Sequence, residues 1–160
     1  MKAGNSAAAE QSQFLIFAGA VMFLGWLVQG LLIPNFTNVR MALTAHSHGV
    51  AVSTATIVLG LIWSRVNLGP KQARIAFWLA LYAAFIGPLG TAFSAAFGAG
   101  AKFLPISGKG FAPASPLVEA VSAAMTITFS LAHVAAFALV VWGLYPRRVL
   151  LQEAASGSMA

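Results

Sequence analysis

The sequence predicts an all-α integral membrane protein, a bundle of four transmembrane helices. Two observations carry this. Hydrophobic residues make up 59% of the 160-residue chain and charged residues only 8%, against roughly 25% charged in an average soluble domain. A soluble protein of this size has a large surface to cover with polar groups, and this chain lacks them. The second observation is four apolar stretches, each long enough to cross a hydrocarbon core of about 30 Å, which takes about 20 helical residues. They run from about residue 14 to 33, 41 to 63, 75 to 97 and 117 to 145, and make one membrane domain of the chain.

The first stretch opens at Phe14 and is limited by Pro34, which cannot continue a helix. Its apolar run is longer than a signal-peptide core, so it reads as a span rather than a cleavable leader. The second begins after Asn38 and Arg40 and ends near Trp63. The polar turn from Ser64 to Pro70 separates it from the third, inside which Pro88 is expected to kink the helix. The longest loop follows, Gly98 to Ser115, with four Gly and two Pro. Ser115-Pro116 then reads as an N-cap followed by proline at the first helical position. The residues after Ala154 read as a disordered tail.

The net charge is +6, yet nucleic acid is not the expected partner. The nine Lys and Arg sit in short loops and tails, not along one polar face. They read as topology signals in an inner membrane. Lys2, Arg65, Lys71, Arg74, Arg147 and Arg148 fall on one side of a four-span chain, and Arg40, Lys102 and Lys109 on the other. That excess places both termini in the cytoplasm. Trp63, Trp78, Trp142 and Tyr145 fall near the same side, where amphipathic aromatics prefer to sit. The absence of Cys excludes thiolate metal sites, iron–sulfur clusters and a cysteine nucleophile. The three acidic residues, Glu10, Glu119 and Glu153, form no carboxylate pair for two-carboxylate acid–base chemistry.

Polar residues at membrane depth are costly and therefore informative. The second helix holds most of them. At about 100° per residue, His46, Gly49 and Ser53 share one face, with Gly49 leaving space beside the imidazole for a flat cofactor. His46 reads either as an inter-helix hydrogen-bonding group or as a metal or haem ligand. His48 points about 200° away and cannot serve the same pocket. His133 either bonds between helices or lines the pocket. Glu119 suits the positive end of the fourth helix, with a hydrogen bond or ion pair to a group at the non-cytoplasmic end, such as Arg40, as the alternative. Arg40 is either a solvated loop residue or an anchor for a cofactor carboxylate. Met41 and Met125 read as packing residues rather than iron ligands.

Asn38-Val39-Arg40-Met41-Ala42-Leu43, followed by His46 and Gly49, resembles the pattern of the membrane hydroxylaminobenzene mutases. So do Leu81-Tyr82, the run Ala96 to Gly100, Glu119, Ser130-Leu131-Ala132 and the run Leu139 to Leu144. Their order covers most of the chain from Pro34 to Leu144. Styrene oxide isomerase is similar more distantly. The resemblance implies a b-type haem held between subunits of a homo-oligomer, a trimer in that isomerase, with His46 as axial ligand to its iron. Ferric iron would then act as a Lewis acid on the oxygen of a small apolar aromatic substrate, giving a rearrangement without net redox change. Arg40 would anchor a haem propionate, Gly49 would make room for the macrocycle, and Thr91 or Ser53 would contact substrate. The chain departs from the pattern at Val52 and Gly87, where the relatives tend to carry asparagine, and at His48, where the mutases tend to carry an acid. Thr91, one turn after Gly87, is the expected substitute.

Two other functions are compatible with these residues. A non-catalytic haem protein would fill both axial positions with protein ligands. A haem-free accessory subunit would need no ligand. An ion-coupled transporter fits poorly with so few intramembrane charges.

Overall fold

The computed structural model describes residues 2–101 and 103–145. Lys102, Arg147, Arg148, Glu153 and the tail from Ala154, to which the sequence reading gave a side or a state, lie outside the described residues. The described residues form helices α1 (Lys2–Leu31), α2 (Val39–Ile62), α3 (Pro70–Phe97), α4 (Pro105–Gly108) and α5 (Pro116–Leu144), with 3-10 turns at Ile33–Asn35 and Trp63–Arg65. Four of these, all but the short α4, are long and apolar enough to cross a membrane. The chain is thus a multi-pass membrane protein, as the sequence predicts.

Helix α1 starts well before the first apolar stretch. Its leading segment, rich in Ala and Gln, carries strong helix formers, so the helix does not wait for the hydrocarbon. This segment packs too: Ser12 Oγ donates to the Gly60 carbonyl (2.8 Å) and Trp63 Nε1 to Gln11 Oε1 (3.0 Å). Helix α3 also starts early. Pro70 takes the first helical position, and Gln72 Oε1 accepts from the Gly69 N–H at 3.0 Å. The helix runs unbroken through Pro88, whose side chain is fully buried. Ser115 caps α5 ahead of Pro116, as expected, its hydroxyl accepting from the Val118 N–H at 3.5 Å.

Helix α2 packs between α1 and α3, and α5 packs on α3. Helices α1 and α3 barely touch, leaving a cleft between them. Small residues bring the backbones together where packing is tightest. A Cβ at Gly19 would meet Ile57 Cγ1 at 2.7 Å, and one at Gly60 would meet Ile16 Cγ1 at 2.7 Å. One apolar cluster gathers Leu15, Leu59, Trp63, Phe77 and Val140 at the end of the bundle near the 63–70 turn. A second joins Met22, Trp26, Ala45, Val52 and Ala84 at mid-depth. A third, around Met41, Ala42 and Ala95, closes the other end. Met41 is fully buried and Met125 packs over Gly90, so both serve packing.

The long loop is held by polar straps. Asn38 is 0% exposed, and both ends of its amide are hydrogen-bonded. Its Oδ1 accepts from the Met41 N–H (2.9 Å), its Nδ2 donates to the Ser107 carbonyl (2.9 Å), and its backbone N–H donates to the Ala95 carbonyl (2.9 Å). Thr37 Oγ1 donates to the Ala96 carbonyl at 2.7 Å, and Thr44 Oγ1 pairs with Ser107 Oγ at 3.2 Å.

Candidate functional site

The seam between α1 and α2 carries two reciprocal bridges. From α2, His46 Nδ1 lies 2.8 Å from the Trp26 carbonyl oxygen of α1. From α1, Gln29 Nε2 donates to the Ala42 carbonyl of α2 at 3.3 Å. The imidazole fits there because Gly30 has no side chain: a Cβ on it would come within 2.7 Å of His46 Cε1. A carbonyl only accepts, so Nδ1 carries a proton, and in the neutral ring this leaves the lone pair on Nε2. Metal-bound histidines are commonly oriented by just such a bond from the other ring nitrogen. His46 therefore makes the inter-helix bond of one sequence reading, in the tautomer that the other requires. The His46 residue is half-buried in the seam.

Gly49 does share the His46 face, but the space beside it is filled. The indole of Trp26 lies directly over it, and any Cβ there would fall inside the ring's van der Waals envelope. Trp26 thus joins both features, its carbonyl holding His46 and its ring seated on Gly49. Ser53, one further step along that face, is 1% exposed and donates to the Gly49 carbonyl at 2.7 Å. Thr91 is 5% exposed and donates to the Gly87 carbonyl at 3.1 Å. Both hydroxyl protons are spent within their own helices, and no hydrogen bond links either residue to His46 among the described residues.

Arg40 lies about one and two-thirds turns before His46, about 120° around the helix. Its Nη1 reaches the Ile106 and Lys109 carbonyls at 3.4 and 3.5 Å, so it stays at the loop end of the bundle. Glu119 pairs with the loop rather than with Arg40. Its Oε2 accepts from the Gly100 N–H at 3.2 Å, and Oε1 is buried with no partner among the described residues.

The other two histidines sit on the far side of α2. The His48 ring packs at a tilt against Phe129 of α5, centroids 5.5 Å apart, and a Cβ at Gly87 would lie 3.1 Å from His48 Cε1. The histidine thus takes up space that Gly87 vacates. His133 packs at a tilt against Phe137, centroids 5.0 Å apart, and lines a small void with Thr56 and Val52. No group of three or more His, Cys, Asp or Glu side chains able to hold a metal occurs among the described residues.

Sequence reasoning missed Trp26 and Gln29, both on α1. The signal was present in part, since Gln29 is a lone amide inside an apolar span and such residues call for a reason.

Residues 11–145 match the family model described as styrene oxide isomerase. The chain is 32% identical over 130 residues to the hydroxylaminobenzene mutase HabB of Ectopseudomonas oleovorans, covering 81% of this chain and 79% of that protein. It is 37% identical over 108 residues to the hydroxylaminobenzene mutase HabA of the same organism, covering 68% of this chain and 79% of that protein. No solved structure matches the chain.

Proposed function

The chain belongs to the styrene oxide isomerase family, and on that basis we propose that it is a membrane isomerase rearranging a small apolar aromatic substrate, an arylhydroxylamine or an epoxide, with a b-type haem held on His46. The two mutase relatives support the aromatic rearrangement. The single observation supporting the ligand is the Nδ1–H bond to the Trp26 carbonyl, which in the neutral ring leaves the lone pair on Nε2.

When bound, ferric haem would supply a Lewis acid that polarises the substrate oxygen. The residues do the rest. Trp26 fixes the His46 tautomer through its carbonyl, and Gly30 leaves room for the ring edge against α1. Arg40 would serve a propionate only by releasing its two long bonds to the loop carbonyls, which at 3.4 and 3.5 Å are weak. Ser53 and Thr91 would reach substrate through their oxygen lone pairs, since their protons are already donated. The α1–α2 seam at His46 is where a second copy would cover the cofactor, in a homo-oligomer with trimeric symmetry. The inner membrane, with both termini cytoplasmic, is the proposed location.

The test is a rearrangement assay on the purified, detergent-solubilised chain with an arylhydroxylamine and with an aryl epoxide. The expected product has the mass of its substrate and forms without added oxidant or reductant. In His46→Ala the rate falls to the uncatalysed background while the protein still inserts and folds. Equal rates in the two proteins would remove His46 from the mechanism.

A further inference from the structure

The end of the bundle near the 63–70 turn is basic. Arg65, Lys71 and Arg74 are exposed there, and Glu10 is the only acid at that end among the described residues. Lys71 and Arg74 make no ion pair or hydrogen bond among the described residues. With Pro70 and Ile75 they line a hollow of about 500 Å³ against the start of α3. The same face of α3 continues into the bundle. At about 100° per residue, Lys71, Arg74, Trp78, Tyr82 and Phe85 fall within about 40° of one line. Past the two cations that face becomes a wall of the α1–α3 cleft. A cavity of about 510 Å³ lies there, between Trp78, Tyr82 and Phe85 of α3 and Phe14, Phe17 and Ala18 of α1.

Basic residues end many membrane spans, and apolar clefts commonly face lipid. Their alignment on one helix face is what selects an occupant. From Arg74 to Phe85 is about 16 Å along the helix, close to one leaflet, half of a hydrocarbon core about 30 Å thick. A free phosphate would use the cations and leave the cleft unfilled. A lipid without net charge would fill the cleft and leave the two positive charges uncompensated. A phospholipid of net negative charge does both. We propose that α3 binds an anionic phospholipid, with its phosphate between Lys71 and Arg74 and one acyl chain in the α1–α3 cleft. Trp78, one turn past Arg74, is exposed, and an indole at that depth prefers the headgroup level. The site does not depend on the proposed reaction.

Native mass spectrometry of the full chain, purified in detergent and titrated with dioleoyl lipids, tests it. The probes are phosphatidylglycerol, which is anionic, and phosphatidylcholine, which has the same chains and no net charge. One cation beside an anionic headgroup is worth about fivefold in affinity, so the wild type should prefer phosphatidylglycerol by about twentyfold. Lys71→Gln and Arg74→Gln should each cut that preference about fivefold, and the double variant should abolish it. The exchanged pair, Lys71→Arg with Arg74→Lys, keeps both charges and should keep the preference. Ala18→Phe fills the cleft, so it should weaken both lipids and leave their ratio unchanged. Inorganic phosphate at the lipid's concentration should not displace phosphatidylglycerol. Equal retention of the two lipids by the wild type, a preference that survives in the double variant, or one lost in the exchanged pair would overturn the headgroup site. Undiminished binding of both lipids by Ala18→Phe would overturn the seat in the cleft. Full displacement by inorganic phosphate would assign the cations to a free anion and overturn the lipid.

Discussion

A methyl group at Gly49 would occupy the space of the Trp26 indole. Because Trp26 also holds His46 through its carbonyl, the substitution reaches the imidazole by way of another helix. Gly49→Ala is expected to destabilise the chain by about 1–3 kcal/mol, the usual cost of overpacking, and to weaken haem retention. Gly25→Ala, where a Cβ meets nothing within 4 Å, should leave stability unchanged or raise it by up to about 1 kcal/mol through helix propensity. Thermal unfolding in one detergent compares the two. The face shared by His46, Gly49 and Ser53 was legible in the sequence, because helical periodicity fixes neighbours along one helix. What α1 presses against that face was not, because periodicity carries no information about the partner. That is why Gly49 reads as open space in the sequence while the structure seats Trp26 there. The hydroxyls of Ser53 and Thr91 fall under the same limit. Their positions were readable, but not the choice to bond their own helix backbone, which is the default for Ser and Thr in membrane helices.

Element boundaries followed local chemistry where that chemistry was distinctive. Ser115-Pro116 marks the start of α5 in both sequence and structure, and the 98–115 loop is where the Gly and Pro content placed it. The early starts of α1 and α3 were not read, because the search looked for apolar length, and helix propensity and capping extend a helix beyond the hydrocarbon. Asn38 is the residue on which the loop end depends. It caps α2 and ties it to α3 and to the loop through three hydrogen bonds. Asn38→Ala loses the cap, worth about 1 kcal/mol, and orphans the Ser107 carbonyl, at about 1–3 kcal/mol if buried. The expected result is a total loss of about 2–4 kcal/mol and faster proteolysis within residues 98–115. Asn38→Asp keeps the acceptor for the Met41 N–H but sets a buried carboxylate oxygen against the Ser107 carbonyl, so it should be at least as destabilising as Asn38→Ala. Equal cleavage rates in all three would show that the loop is held by other contacts.

At the scale of the whole molecule, composition and four apolar runs were enough to give the membrane bundle. The order of packing was not, because lipid-facing and helix-facing residues are equally apolar here. Exposed Phe17, Leu24 and Leu31 on α1 read no differently in sequence from buried Met22 and Leu15. The proposed orientation makes a simple prediction. The chain has no Cys, so single substitutions label cleanly. With both termini inside, Ser107→Cys in intact cells should react with a membrane-impermeant maleimide, and Ser64→Cys should react only after permeabilisation. The reverse pattern would invert the topology and move the loop strapped by Asn38 to the cytoplasm.

The central claim is that His46, held by the Trp26 carbonyl, carries a haem. The most direct test is the absorption spectrum of the purified, detergent-solubilised protein, oxidised and dithionite-reduced, beside His46→Ala. The account predicts a Soret band at near-stoichiometric haem in the wild type, a reduced form that binds an added sixth ligand, and no retained haem in the variant. A wild-type spectrum without a Soret band, even after haem is supplied during expression, or an unchanged haem content in His46→Ala, would contradict it.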